Sequence, residues 1–466
     1  MSTNIVENAQ VIVVGGGSAG LNAAIAASRN GANTLLVEQY GFPGGTLAMA
    51  NVGPLAPFHF KDKQVIKGIP QEIVDRLIAN NAATGHLKAV PEYGSGSYMC
   101  YFDREVYKYV VLEMLEEAGC RLLLHSHFSD VIMDGKSVKG IIVDNKSGRQ
   151  RLQSDVVIDA SGDADVAARA GVDFEVGRKK DGLTEAMTLI FEVANVDEDK
   201  LWKYVHGNPS EFEWASALQP ASVTPANFRR QYYVAQGFLS LVKQAVKEKE
   251  LHIGRNSLLF QSSLRPGVLI FNSTRVCGAK GIDSQELTSA EIDSRKQVFS
   301  IMGLLQKHVP GFEQAYVLST GPQIGVRETR RIIGEYYLTG EDVLQGRKFP
   351  DGIAGGYFAI DIHSEESGLG YTNKEGGSVW KDLSDSYTIP YRCLIPAEIE
   401  NLLVTGRCIS ASHEAQGSCR STGTCMATGQ AAGTAAALAI KQSITPREVK
   451  AKNLRAKLME QGVHLE

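Results

Sequence analysis

Long apolar runs, an excess of either charge, paired cysteines and low-complexity tracts are all missing from this 466-residue chain. Each absence removes a class of protein. The apolar segment Val11-Ile12-Val13-Val14 is far too short for a signal core or a membrane span. Met1 to Gln10 before it is polar with no basic flank, and no other stretch is expected to cross a bilayer. Forty-eight basic residues against 52 acidic ones give a net charge of −4, so nothing electrostatic points to nucleic acid as a partner. The seven cysteines form no C-x-x-C pair and no His/Cys cluster at zinc spacing. That pattern speaks against a disulfide framework, an iron–sulfur site or a metal centre, and it fits the reducing cytoplasm. Glycine, by contrast, is abundant: 47 residues, about a tenth of the chain against an ordinary ~7%. A chain of this length and ordinary composition is expected to form two or three domains.

Residues 9–38 read as one βαβ unit. A strand at Val11 to Val14 runs into glycines, a helix follows with Leu21, Ala24, Ile25 and Ser28 on one face, and a second strand from Thr34 ends before Glu38. Further on, Asp103 caps a helix carrying Val106, Val110 and Met114 on one face. Three β-like runs near 128–133, 138–143 and 152–158, with a turn at Asp134-Gly135, read as a β-meander. Composition then becomes mixed and more aromatic until an apolar run returns at Asn401 to Thr405. An alanine-rich helix follows from about Cys425 to Ile440, then a charged amphipathic helix from Pro446 to Gln461. The expected fold class is α/β: a Rossmann-like dinucleotide-binding domain with a β-meander, plus an inserted α+β substrate domain. The expected division is 1–180 and 381–445 for the first, 181–380 for the insertion and 446–466 for a terminal helix.

Gly15-Gly16-Gly17-Ser18-Ala19-Gly20 satisfies G-x-G-x-x-G between a strand and a helix, with Glu38 at the end of the next strand. In such a unit Gly15 makes the tight turn, Gly17 lets backbone approach a pyrophosphate, and Gly20 permits close helix–strand packing. Ser18 and Ala19 open the helix whose free N–H groups face the phosphates. Glu38 is suited to an adenosine ribose. Gly16-x-Ser18-x-Gly20 also spells the nucleophile elbow of α/β-hydrolases, with His363 and His413 as nominal partners. That fold places several strands before its elbow, whereas here the pattern follows the first.

Four further segments favour FAD over NAD. Gly44-Gly45-Thr46 offers a glycine doublet that can pass close to a diphosphate and ribityl chain. Asp159, Ser161 and Gly162 follow a strand where a second loop closes on the adenine side. Gly406-Arg407 follows the strand at Asn401 to Thr405. The helix beginning near Cys425 and Met426 aims free N–H groups at the flavin pyrimidine. With Gly325 to Arg331 and the run through Ala436, these segments resemble the FAD-dependent oxidoreductases of the glutathione-reductase fold type, distantly similar to fumarate reductase and succinate dehydrogenase flavoproteins. The resemblance covers nearly the whole chain. It implies FAD held by Gly15, Gly17, Gly20, Glu38, Gly44, Gly45, Thr46, Gly162, Gly406 and Arg407. The doublet is followed by Thr46-Leu47-Ala48-Met49, with no histidine for covalent attachment, so non-covalent FAD is expected. No second strand–G-x-G-x-x-G–helix unit provides an NAD(P)H domain; Gly368-Leu369-Gly370 lacks the strand.

His413 is the candidate base, since a histidine titrates near working pH; a supporting role in its loop is the competing reading. Arg420 is a candidate to stabilise an anionic flavin or a substrate oxygen. Arg327 is a candidate to fork onto an anionic substrate group, against ion pairing by Glu328, Arg330 and Arg331. Arg275 and His363 are weaker substrate candidates. Cys408, Cys419 and Cys425 match no redox spacing and read as ordinary thiols, and Gly429 and Gly433 read as a flat helix face packed on the cofactor domain. The expected activity is hydride transfer from a small polar organic substrate to flavin N5, as a dehydrogenase or oxidase. The alternatives are a reductase of an activated double bond fed by a separate donor, and a flavin-binding protein without turnover. The expected partners are therefore a small-molecule substrate and an electron acceptor or donor, with no nucleic acid and no membrane; the sequence sets no oligomeric state.

Overall fold

The structure, a computed structural model, describes residues 5–90, 98–220, 232–363 and 379–466. Gly368 to Gly370 lie outside the described residues. The first sheet is built on β1 (Ile5–Val14), β2 (Thr34–Val37), β3 (Gly148–Asp159) and β4 (Leu402–Val404). β1 pairs in parallel with β2 and β3, and β3 in parallel with β4, so that Val14, Val37, Asp159 and Val404 end at one edge. A strand at Arg121–Leu123 extends this parallel set beyond β2. The first half of β3 pairs antiparallel with Ser137–Asn145, which pairs with His127–Asp134; this is the expected meander.

β1 is apolar on both sides because both sides are covered. Val11 and Val13 pack with helix residues such as Leu21 and Ala24, while Ile12 and Val14 pack with Val138, Ile141 and Leu402. The helices that matter here are α1 (Ser18–Arg29), α2 (Arg104–Glu117), α3 (Ser284–His308), α4 (His413–Cys419) and α5 (Thr422–Gln442). Asp103 caps α2 by accepting from the N–H groups of Glu105 and Val106. α5 lies against α1 with glycine at the contact: a Cβ on Gly429 would stand 2.0 Å from the Ala19 carbonyl oxygen, and one on Gly433 2.0 Å from that of Ala23. That is the flat packed face the sequence indicated.

A second, antiparallel eight-stranded sheet runs in the order 316–320, 191–194, 269–271, 258–262, 232–237, 212–220, 87–90, 98–99. Phe191, Phe260, Phe271 and Trp202 form its core with Val298, Ile301 and Leu305 of α3. Two strands before residue 100 thus join this sheet. Residues such as Leu338, Ile353, Tyr357 and Ile360 instead pack in the core of the first body. A division at 180 and 380 therefore does not follow the cores, because local composition does not report which sheet a short strand joins. The terminal segment is a single 3₁₀ turn at Pro446–Glu448 followed by a helix at Ala451–Glu460, not one continuous helix. Among the described residues no helix is long and apolar enough to cross a membrane.

Candidate functional site

The common strand edge brings the glycine turn, Glu38, the 160–165 loop and Thr405-Gly406 together. Gly15 has φ +95°, and a Cβ there would stand 2.6 Å from the Ala160 carbonyl oxygen; one on Gly20 would strike the Gly15 carbonyl oxygen at 1.7 Å. Gly17 is the N-cap of α1. It supplies no side chain to the first-turn N–H groups, and that turn, opened by Ser18 and Ala19, holds no acid. The uncapped N–H groups and positive dipole end suit a diphosphate. Gly44 and Gly45 both have positive φ, and they lie directly on the turn: the Gly44 N–H donates to the Gly16 carbonyl at 2.7 Å. A Cβ on Gly45 would stand 2.6 Å from Gly17 Cα. Thr46 follows as the first residue of a one-turn helix. Gly406, at φ +86°, closes over Ala19.

Glu38 is 5% exposed. Its Oε2 accepts the Gly16 N–H at 2.7 Å and its Oε1 the Tyr40 N–H at 3.0 Å. Burial raises its pKa against the pull of these backbone donors. Each oxygen keeps a second lone pair, which is what two ribose hydroxyls need. Donor set, glycine cradle and acid fit the adenosine diphosphate half of FAD.

Several expected cofactor ligands are engaged elsewhere. Asp159 is fully buried; its Oδ1 accepts from the Ser161 N–H and Oγ, and its Oδ2 from the Ala167 N–H. Ser161 Oγ in turn accepts from the Asp163 and Asp165 N–H groups. Asp159 and Ser161 therefore shape the loop from within. Gly162, at φ +81°, offers its carbonyl to Arg407 Nε at 2.8 Å, while Arg407 also pairs with Asp163 and reaches the Val326 carbonyl. The Arg407 guanidinium is thus a clamp between loops. α5 starts at Thr422, three residues before Cys425, so the Cys425 N–H, expected to be free, already bonds to the Ser421 carbonyl, and the Cys425 and Met426 side chains are buried. The uncapped end of that helix belongs to Thr422, Gly423 and Thr424. Cys408, Cys419 and Cys425 are buried free thiols.

The segment Gly325 to Arg331 meets α4 across a buried ionic network. Glu328, fully buried, lies 2.9 Å from His413 Nδ1, accepts from Arg331 Nε at 3.1 Å and takes the Glu185 N–H at 3.1 Å. Arg420 forks onto Glu185 through Nε at 2.9 Å and Nη2 at 3.0 Å, with the Asp361 carbonyl at 3.0 Å. His363 Nε2 lies 3.1 Å from Asp361. Arg327 donates to Thr188 Oγ1 at 2.7 Å and to the Ala186 carbonyl. Arg420, the candidate to stabilise an anionic flavin or a substrate oxygen, is thus paired with Glu185 and Asp361, and Arg327, the candidate to fork onto an anionic substrate group, bridges to the 186–188 strip. Arg330 pairs with Asp165 and Arg331 with Glu328 and Glu175, which is the ion-pairing reading of this segment.

The pKa values of the two histidines are shifted in opposite directions. Burial works to lower the His413 pKa, but the hydrogen bond and charge of Glu328, with the charge of Glu185, outweigh it and hold the ring above the usual 6.5. Burial lowers His363; Arg327 and Arg420 add to this against Asp361, so the ring is neutral. Both rings, with Arg178, Leu183, Thr184, Glu185 and Ile362, line one small, partly open pocket of about 10 Å³. The backbone N–H and carbonyl of Arg275 are clamped by Gln297 of α3 at 2.8 and 2.9 Å. Sequence reasoning missed Glu185 and Asp361 as members of the site and gave Glu328 only an ion-pairing part. Glu185 stands in no motif, and only the tertiary fold sets it against Arg420.

A strand–glycine turn–helix with a buried acid at the next strand end, beside a buried cluster of ionisable groups, defines a dinucleotide-binding redox protein. The model of the family described as FAD dependent oxidoreductase matches residues 10–458, and the chain belongs to that family. It is an FAD-dependent enzyme. Among solved structures, it is similar to a geranylgeranyl bacteriochlorophyll reductase-like protein from Thermoplasma acidophilum, at 13% identity and TM-score 0.48, over 98% of this chain and 84% of that one. The anhydrotetracycline hydroxylase OxyS from Streptomyces rimosus matches at 11% identity and TM-score 0.46, over 97% and 68%. The myxobacterial chondrochloren halogenase CndH matches at 11% identity and TM-score 0.48, over 97% and 78%.

Proposed function

We propose that this enzyme oxidises a small polar organic molecule, with His413 taking the substrate proton in the cavity beside α4. The observation that supports this reading is the pairing of His413 Nδ1 with buried Glu328, in a ring that lines a cavity shared with Glu185 and His363. Bound FAD, non-covalently held by the glycine cradle and Glu38, supplies the two-electron acceptor. The substrate C–H bond gives up a hydride while its O–H or N–H proton passes to His413, and a C=O or C=N bond forms. The Arg420–Glu185–Asp361 cluster sets one cation against two acids, which suits a neutral hydroxyl or amine better than an anion.

The upward shift of His413 favours one second reading. A ring whose pKa lies above its ordinary value keeps its proton to higher pH, which suits the proton donor that a reductase of an activated double bond served by a separate donor requires. Anaerobic mixing with a metabolite panel, followed by flavin absorbance, separates the two. Bleaching by a substrate supports oxidation. Bleaching only by an electron donor, with recovery on adding an unsaturated acid or ketone, supports reduction. His413→Gln is expected to retain FAD and slow the reaction on the order of a hundredfold or more. A variant as fast as the parent overturns the role of His413.

A further inference from the structure

Glu328 is held from three sides. Its Oε1 accepts from Arg331 Nε at 3.1 Å and lies 2.9 Å from His413 Nδ1, and its Oε2 accepts from the Glu185 N–H at 3.1 Å. Arg331, 1% exposed, is itself fixed by the Ala411 carbonyl at 2.8 Å and the Gly177 carbonyl at 2.6 Å. The carboxylate therefore has no freedom to turn away from the ring. An ionised carboxylate only accepts, so the hydrogen shared with His413 belongs to Nδ1. The lone pair of the neutral ring then sits on Nε2, which makes no hydrogen bond among the described residues.

We propose that Glu328 is a positioning residue that holds neutral His413 as its Nδ1–H tautomer, leaving Nε2 as the atom that exchanges a proton with the substrate. This rests on the reading of His413 as the proton-transfer residue. When Nε2 takes the proton of a substrate O–H or N–H, the ring becomes a cation beside Glu328; FAD, when bound, would supply the acceptor for the substrate's hydride. The other charged or titratable groups facing the ring are Glu185, Arg331, His363 and Arg178, with Glu414 on its own helix. Two buried acids thus face the developing charge, and Arg331 opposes them. Orientation by an acid in this manner fixes a histidine tautomer in other enzymes.

The test is ¹⁵N NMR of the FAD-loaded enzyme labelled with ¹⁵N-histidine, with His413 assigned by the signals lost in His413→Gln. Above its pKa, His413 is expected to show a protonated Nδ1 and an unprotonated Nε2. In Glu328→Gln its pKa is expected to fall by about 1–3 units, with both tautomers populated, while FAD remains bound. A neutral ring protonated at Nε2 in the parent enzyme overturns the proposal, as does an unchanged pKa and tautomer in Glu328→Gln. The parent measurement decides even where Glu328→Gln fails to fold. If the tautomer is as expected and no metabolite or donor changes the flavin in a His413-dependent way, the functional reading fails and the positioning role stands.

Discussion

Replacing Glu38 with alanine removes an acceptor from two backbone donors at once, the Gly16 N–H at 2.7 Å and the Tyr40 N–H at 3.0 Å. Each donor left without a partner costs about 1–3 kcal/mol, the partly buried Tyr40 group less, so the fold should lose about 2–4 kcal/mol. Holding the ribose through the carboxylate adds a charge-assisted hydrogen bond of about 1.5–3 kcal/mol, which corresponds to roughly ten- to a hundredfold weaker FAD binding. Glu38→Gln keeps one amide oxygen for one of the N–H groups and points its NH₂ at the other, so it should fall between the parent and Glu38→Ala. Two assays separate the terms: urea unfolding of the apoprotein for the first, fluorescence titration of apoprotein with FAD for the second. The sign with pH also follows. Burial raises the Glu38 pKa, so FAD should begin to dissociate on acidification above the ordinary carboxylate range. Glu38→Ala protein that binds FAD as tightly as the parent would refute the cradle described here.

Other substitutions test packing and charge separately. Gly429→Val should destabilise by about 1–3 kcal/mol or more and loosen FAD, because its side chain enters the Ala19 backbone at the start of α1; Gly303→Ala, in open space on α3, should stabilise by about 0.5–1 kcal/mol, both read by urea unfolding. Arg420→Met leaves fully buried Glu185 without its fork and should cost about 3–5 kcal/mol in the same assay, with much of the loss recovered by adding Glu185→Gln. His413 has a folded pKa above its unfolded one, so its contribution to stability is complete below about pH 6.5 and disappears as pH rises through the folded value. Melting temperatures of the parent and His413→Gln should therefore differ most in acid and converge in base. Asp159, pushed up to about 6 by burial, works in the opposite sense from an ordinary paired carboxylate: stability should fall as pH rises from about 4 to 6, and Asp159→Asn should flatten that slope.

The cofactor half of the fold was legible because it is local. A parallel strand covered on both faces reads as an apolar run, and the G-x-G-x-x-G turn, Glu38 and the cap at Asp103 act within a few residues or one βαβ unit. Gly429 and Gly433 were legible for the same reason, since helical spacing puts them on one face. The ionic network was not. Arg420 is visible as a cation, but that it pairs with Glu185, 235 residues away, is set only by the tertiary fold. Asp159 looked like a cofactor ligand because it ends the strand beside the cradle; the backbone donors of Ser161 and Ala167 that occupy it appear only when the loop folds back. The start of α5 was placed three residues late, since Thr422 and Thr424 carry no apolar period, and this error moved the helix end onto Cys425 and Met426.

Stopped-flow reduction of the bound flavin by the active substrate, measured across pH in the parent and in His413→Gln, decides whether His413 is the base. The parent is expected to show an acid limb with an apparent pKa above 6.5, where His413 must lose its proton before it can act as a base, and His413→Gln a slower rate without that limb. The same rate and the same limb in both proteins would contradict that role.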